Sequence, residues 1–158
     1  MRVCGIEIKG KEAVICLLES NKGLYDIPDC RVRSLVIKDP DTSQGVKDFQ
    51  FAVAKLAEDY RVEKIVIRER QKKGKFAGGA EGFKMEAAIQ LIEGIDVALM
   101  NPSHSKALLK AKPLPVRFED TGLKIFQETA FVTAYVALVE ASLKPSELAS
   151  IAKQGPAE

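Results

Sequence analysis

Residues 2–18 read Arg2-Val3-Cys4-Gly5-Ile6-Glu7-Ile8-Lys9-Gly10-Lys11-Glu12-Ala13-Val14-Ile15-Cys16-Leu17-Leu18. Two apolar runs, Arg2 to Ile8 and Ala13 to Leu18, flank a Lys9-Gly10-Lys11 turn. That is the pattern of an antiparallel hairpin, with Gly10 supplying backbone angles that other residues resist. Cys4, Ile6 and Ile8 share one strand face, which makes Cys4 a small core hydrophobe. Glu7 interrupts the apolar run. A carboxylate there loses hydration, so a cation or a metal is expected to compensate it.

Outward from the hairpin, Asn21-Lys22-Gly23 reads as a second turn and a third strand is predicted from about Cys30 to Ile37. Asp39-Pro40-Asp41-Thr42-Ser43 is a loop ending in N-cap chemistry. Val46, Phe49, Val53, Leu56 and Ala57 then recur at helical spacing. After Val62 strands alternate with helices. Lys64 to Glu69 is a strand, Arg70 to Gly79 a basic glycine-containing loop, Glu81 to Glu93 a helix stopped by Gly94, and Ile95 to Met100 a buried strand. Asn101-Pro102 opens a helix through Lys110, and Lys112-Pro113-Leu114-Pro115 breaks it. A long apolar helix is predicted from about Asp120 to Ser142, a short one over Lys144 to Lys153, and fraying from Gln154 to Glu158. This order predicts an α/β domain over residues 1–143, followed by a terminal helix and tail over 144–158. Its mixed five-stranded sheet has three antiparallel strands, then two parallel ones, and helices on both faces.

The composition suits one ordinary globular domain: 158 residues, 46% hydrophobic and 29% charged. A net charge of +2 is too small to argue for a nucleic-acid partner by itself, so any basic footprint must be local. Cys4, Cys16 and Cys30 form no CxxC spacing and read as reduced thiols. The chain enters a strand at once, without a signal-peptide pattern. Its best apolar stretch, Ala130 to Val139, is too short to span a membrane. A soluble cytoplasmic protein is expected.

Glu7, Glu69 at the end of its apolar strand, and Glu128 early in the most hydrophobic helix come from distant segments. Together they predict an acidic site. Clustered carboxylates repel, and Mg²⁺ or Mn²⁺ relieves that repulsion while organising phosphoryl transfer from water. Each residue also has a plainer reading: Glu7 facing solvent from an edge strand, Glu69 as a strand terminus, Glu128 as a cap or a partner of a nearby lysine. The Arg68, Arg70, Lys72, Lys73 and Lys75 cluster adjoins Glu69 and could neutralise phosphates, or could simply be a solvated loop. Phe76 could stack on an unpaired base or fold back on the core. Gly74, Gly78, Gly79 and Gly82 do not form GxGxxG, which argues against a dinucleotide site. His104 is the sole histidine, so a His-based metal cluster is excluded; it either assists chemistry or merely occupies a helix's first turn.

Gly5-Ile6-Glu7, Ile65-Val66-Ile67-Arg68-Glu69, Lys84-Met85-Glu86-Ala87-Ala88, Pro102-Ser103-His104-Ser105-Lys106 and Gln127-Glu128-Thr129-Ala130 resemble motifs of the ribonuclease H-like superfamily, RuvC-type resolvase branch. The resemblance runs from about residue 2 to 140. Glutamates stand at Glu7 and Glu128 where that branch has aspartates, Ile125 replaces a further acid, and Ile8-Lys9-Gly10 replaces a proline-glycine turn. Over Val3 to Leu18, Glu63 to Ile92 and Leu123 to Tyr135 the chain also looks like a small bacterial family catalogued as domain of unknown function 3010. The superfamily resemblance implies a Mg- or Mn-dependent endonuclease acting on structured nucleic acid, such as branched DNA or an RNA–DNA hybrid. Glu7, Glu69 and Glu128 would be its catalytic metal ligands, with Arg70, Lys72, Lys73, Lys75 and Lys106 on the phosphates and a homodimer as the assembly. The departures favour an alternative, a catalytically silent protein-interaction module of the same fold.

Overall fold

The computed structural model describes residues 1–75 and 77–154. The hairpin forms as its pattern dictates. Strand β1 (Arg2–Lys9) pairs antiparallel with β2 (Glu12–Asn21), from Arg2↔Glu19 to Lys9↔Glu12. The loop between them is Gly10-Lys11, with Gly10 at φ +56°. Strand β1 also pairs in parallel with β5 (Lys64–Arg68), and β5 with β6 (Asp96–Met100), so β1 lies centrally.

The outer edge of β2 departs from expectation. Two three-residue strands, β3 (Leu24–Asp26) and β4 (Ser34–Val36), pair with opposite ends of β2, giving six strands in the order β3-β2-β1-β5-β6 with β4 beside β2. Pro28 lies between them and has no N–H to give a continuous ladder.

Alternation along β1 sorts the layers. Cys4, Ile6 and Ile8 join the core beneath α1 (Ser43–Asp59) and α2 (Ala80–Gln90). Val3 joins the core under α4 (Glu128–Ser142), which also takes in Leu108 of α3 (Pro102–Ala111) and Ile151 of α5 (Pro145–Gln154). Thr42 caps α1 by accepting the Gly45 N–H at 3.0 Å.

The final helix is shorter than predicted. Two 3-10 turns, Phe118–Asp120 and Ile125–Gln127, precede it, and Gly122 at φ +78° prevents helix between them. Glu128 is therefore the first residue of α4. The expected fraying from Gln154 concerns residues that, beyond the end of α5, lie outside the described ones; so does the base-stacking expectation for Phe76. Among the described residues no helix is long and apolar enough to cross a membrane.

Candidate acidic site beside a cationic loop

Parallel strands leave a crevice beyond their carboxyl ends, and here it is occupied by charge. Glu7 near the end of β1, Arg68 and Glu69 at the end of β5, Arg70, Gly78, and Pro102, Ser103 and Lys106 of α3 line one cavity of about 570 Å³. Glu69 is held by its own N–H, which donates to the Met100 carbonyl at 2.9 Å. Asn101 starts α3 at the cavity rim: its Oδ1 accepts the Ser103 and His104 N–H groups at 2.8 and 3.2 Å.

Two of the three predicted acids thus share a cavity. The Glu7 side chain is 17% exposed, and Lys9 Nζ stands 3.3 Å from its Oε1. That approach lacks hydrogen-bond geometry, leaving Oε1 buried with no donor. Glu128 is exposed on the first turn of α4 and does not line the cavity, though it lies at the same end of the sheet. Two tie points fix this. Gly5 is pressed under Ala130 and Ala134, and the Gln127 amide donates at 2.9 Å to the carbonyl of Ile15, the partner of Ile6 across the hairpin.

The cationic residues divide. Lys106 reaches the cavity from α3. Lys72 and Lys73 are exposed and flank a neighbouring hollow with Glu69, Arg70 and Asn101; Lys75 is exposed on the same loop. Arg70 is different: its guanidinium lies 5.2 Å from the Phe83 ring centroid and its Nη1 is 3.4 Å from the Gly79 carbonyl. His104 turns away from the cavity to pair with Glu140 of α4.

Sequence reasoning missed Glu86. It is 7% exposed on the inner face of α2, beside Met85 and Ile89, and its Oε2 has no hydrogen-bond partner. Burial pushes its carboxyl above the ordinary range; Arg70 opposes the shift, Glu69 adds to it and Lys72 opposes it. The available signal was spacing: Glu86 follows Gly82 by four and precedes Ile89 by three, on the buried stripe.

Hard oxygen donors and an orphaned buried carboxylate oxygen suit a divalent cation. Mg²⁺ commonly takes one or two carboxylates and completes its shell with water and phosphate, so Glu7 and Glu69 fit such an ion. Among the described residues no group of three or more His, Cys, Asp or Glu side chains forms a ready-made cage.

This sheet order, with its acids at the carboxyl ends of the central strands, defines a ribonuclease H-like fold of the RuvC-resolvase kind. A structure of Thermus thermophilus RuvC superposes with a TM-score of 0.67 at 13% identity, covering 89% of this chain and 95% of that one. The T. thermophilus RuvC in complex with a Holliday junction substrate superposes with a TM-score of 0.64 at 12% identity, covering 89% and 94%. The chain itself belongs to the family described as protein of unknown function (DUF3010), whose model matches residues 1–137. A search of curated proteins finds no match.

Proposed function

We propose that this protein binds branched DNA or an RNA–DNA hybrid and hydrolyses phosphodiesters with Mg²⁺ or Mn²⁺ at the Glu7–Glu69 cavity. One observation carries the reading: Glu7, whose buried Oε1 has no donor, and Glu69 line one cavity together with the cations Arg68 and Lys106. Acids alone would repel a phosphate, and cations alone would bind it without chemistry. Support for branched substrates comes from the shared fold, since T. thermophilus RuvC is known in complex with a Holliday junction.

Glu7 and Glu69 would hold the ion, with Glu128 approaching from the start of α4. When bound, the ion lowers the pKa of a coordinated water and offsets charge on the phosphate. Lys106, with Lys72, Lys73 and Lys75 of the loop, draws the phosphate backbone in, and Lys9 balances Glu7 until the site fills. A cytoplasmic location and a homodimer belong to the same reading.

The test is a paired binding and cleavage assay on duplex, hybrid and four-way-junction substrates with Mn²⁺ present. Cleavage by the wild type, lost in Glu7→Gln and Glu69→Gln while binding persists, is the expected result. Binding without cleavage in the wild type would favour the silent module, a reading supported by the Lys9–Glu7 pair and by the absence of Glu128 from the cavity. Neither binding nor cleavage at low salt would refute the nucleic-acid reading.

A further inference from the structure

Arg70 has the charge of a phosphate contact but not the surroundings of one. Its guanidinium fills a slot that exists because two residues carry no side chain. A Cβ on Gly82 would lie 1.3 Å from Nη1 and 2.4 Å from Cζ; one on Gly78 would lie 2.6 Å from Cζ. The Phe83 ring lies 5.2 Å from Cζ, and the Gly79 carbonyl stands 3.4 Å from Nη1. The buried Oε2 of Glu86 on the same helix lacks a hydrogen-bond partner, and the Arg70 charge opposes the burial that raises this carboxyl. One side chain thus spans from the end of β5, next to Glu69, to the first turns of α2.

We infer that Arg70 is a positioning residue: its planar guanidinium keys the strand end carrying Glu69 to α2 through the Gly78–Gly82 slot and fastens the base of the lysine loop. The loop closes on itself at the same point, where the Gly78 N–H donates to the Gln71 carbonyl at 2.8 Å. This role deepens the nucleic-acid reading and rests on it for the DNA measurement alone.

The slot and a phosphate make different demands. A phosphate accepts lysine as a point charge, whereas a flat slot does not. Gly82→Ala removes no charge, and its added methyl group meets the mobile end of a long side chain, so it evicts the guanidinium without displacing backbone. The first measurement, on the full chain, is hydrogen exchange at the Gly78 amide. Gly82→Ala and Arg70→Lys should each speed it by about tenfold or more, with global stability retained. The second is the salt dependence of four-way-junction binding. A positioning arginine leaves the slope of log K against log salt unchanged in Arg70→Lys and Arg70→Ala, while affinity falls in both. A phosphate contact would instead flatten the slope by about 0.9 in Arg70→Ala, with Arg70→Lys restoring it. Wild-type Gly78 exchange in both slot variants, or rescue by lysine of both affinity and slope, overturns the inference. If no DNA binds, the nucleic-acid reading fails, while the exchange measurement still decides the clasp.

Discussion

Replacing Gly5 by alanine tests the packing that brings α4 to the acidic site. The added Cβ would lie 2.1 Å from the Ala130 carbonyl oxygen, 2.7 Å from the Ala134 nitrogen and 2.9 Å from the Ala134 Cβ. Two of these three contacts are backbone inside a helix, so no rotamer change relieves them. Ordinary separations of about 3.5 Å require α4 to lift by roughly 1 Å, and such a gap forfeits a quarter to a half of each contact energy it opens. That helix buries nine residues, Ala130, Phe131 and Thr133 to Val139, against the sheet and its neighbours. Overpacking usually costs about 1–3 kcal/mol, and rigid backbone on the far side places Gly5→Ala near about 3 kcal/mol. Urea denaturation followed by circular dichroism measures this as a fall in midpoint at constant slope. Adding Ala134→Gly removes only the Cβ contact, so in a double-mutant cycle the pair should couple favourably yet leave most of the loss in place. A loss under about 1 kcal/mol in Gly5→Ala would refute the close approach, because a methyl group cannot share that space without moving the helix.

Glu86→Gln should raise the thermal midpoint at pH 7, because burial holds the Glu86 carboxyl above its ordinary value and so penalises the folded carboxylate. The advantage over wild type should vanish as pH falls through the raised value towards 4.5 and below, where folded and unfolded states are both protonated. Burial pushes the Cys16 thiol up to about 12 from 9.0, so its contribution to stability is complete below pH 9 and declines above it. Comparing wild type with Cys16→Ala, the stability difference should shrink by about 1.4 kcal/mol on going from pH 8 to pH 10 under reducing conditions. Millimolar Mn²⁺ should raise the wild-type thermal midpoint by mass action and leave Glu7→Gln and Glu69→Gln unshifted; equal shifts in all three would count against the cation site. Gln127→Ala should cost about 1–3 kcal/mol, since it strands the buried Ile15 carbonyl and the Lys124 N–H that its side chain satisfies.

The parts of the fold legible in the sequence are those written in short-range periods. The β1–β2 hairpin needed only alternation and a glycine turn, and α1 and α3 were marked by Thr42 and Asn101-Pro102. The divided edge of β2 was not legible, because a single β-branched run from Cys30 to Ile37 does not reveal how few of its residues find partners on a neighbouring strand. The start of α4 was hidden for a similar reason. Apolar residues at Ile125 and Phe126 extend the helical pattern, yet they are 84% and 42% exposed on a 3-10 turn that Gln127 ties to β2. At the site, Glu7 announced itself as a charge in an apolar strand. Glu86 did not, because a glutamate in a helix usually reads as the solvated rim; its burial follows from how α2 turns the Gly82-Met85-Ile89 stripe inward.

The carboxylate in the first strand is explained by where α4 begins. Val3, Gly5 and Glu7 point to the same face of the sheet, and the helix crosses that face with Ala130 and Ala134 against Gly5. Moving from Gly5 to Glu7 advances about 6.6 Å along the strand. Moving from the middle of the Ala130–Ala134 contact back to Glu128 retreats about 6 Å along the helix. The two displacements match in direction, since Gln127 is tied to Ile15, opposite Ile6. Glu7 is therefore the first position on its face that the helix no longer covers, and Glu128 is the last turn above it. A hydrophobic residue at position 7 would meet the charged lining of the cavity, Arg68 and Glu69, whereas a carboxylate there keeps partial solvation and a lysine 3.3 Å away. Gly5→Ala, by lifting the helix, should accordingly weaken the Mn²⁺ stabilisation as well as the fold, and an unchanged Mn²⁺ shift in a measurably destabilised Gly5→Ala protein would show that Glu128 takes no part in holding the ion.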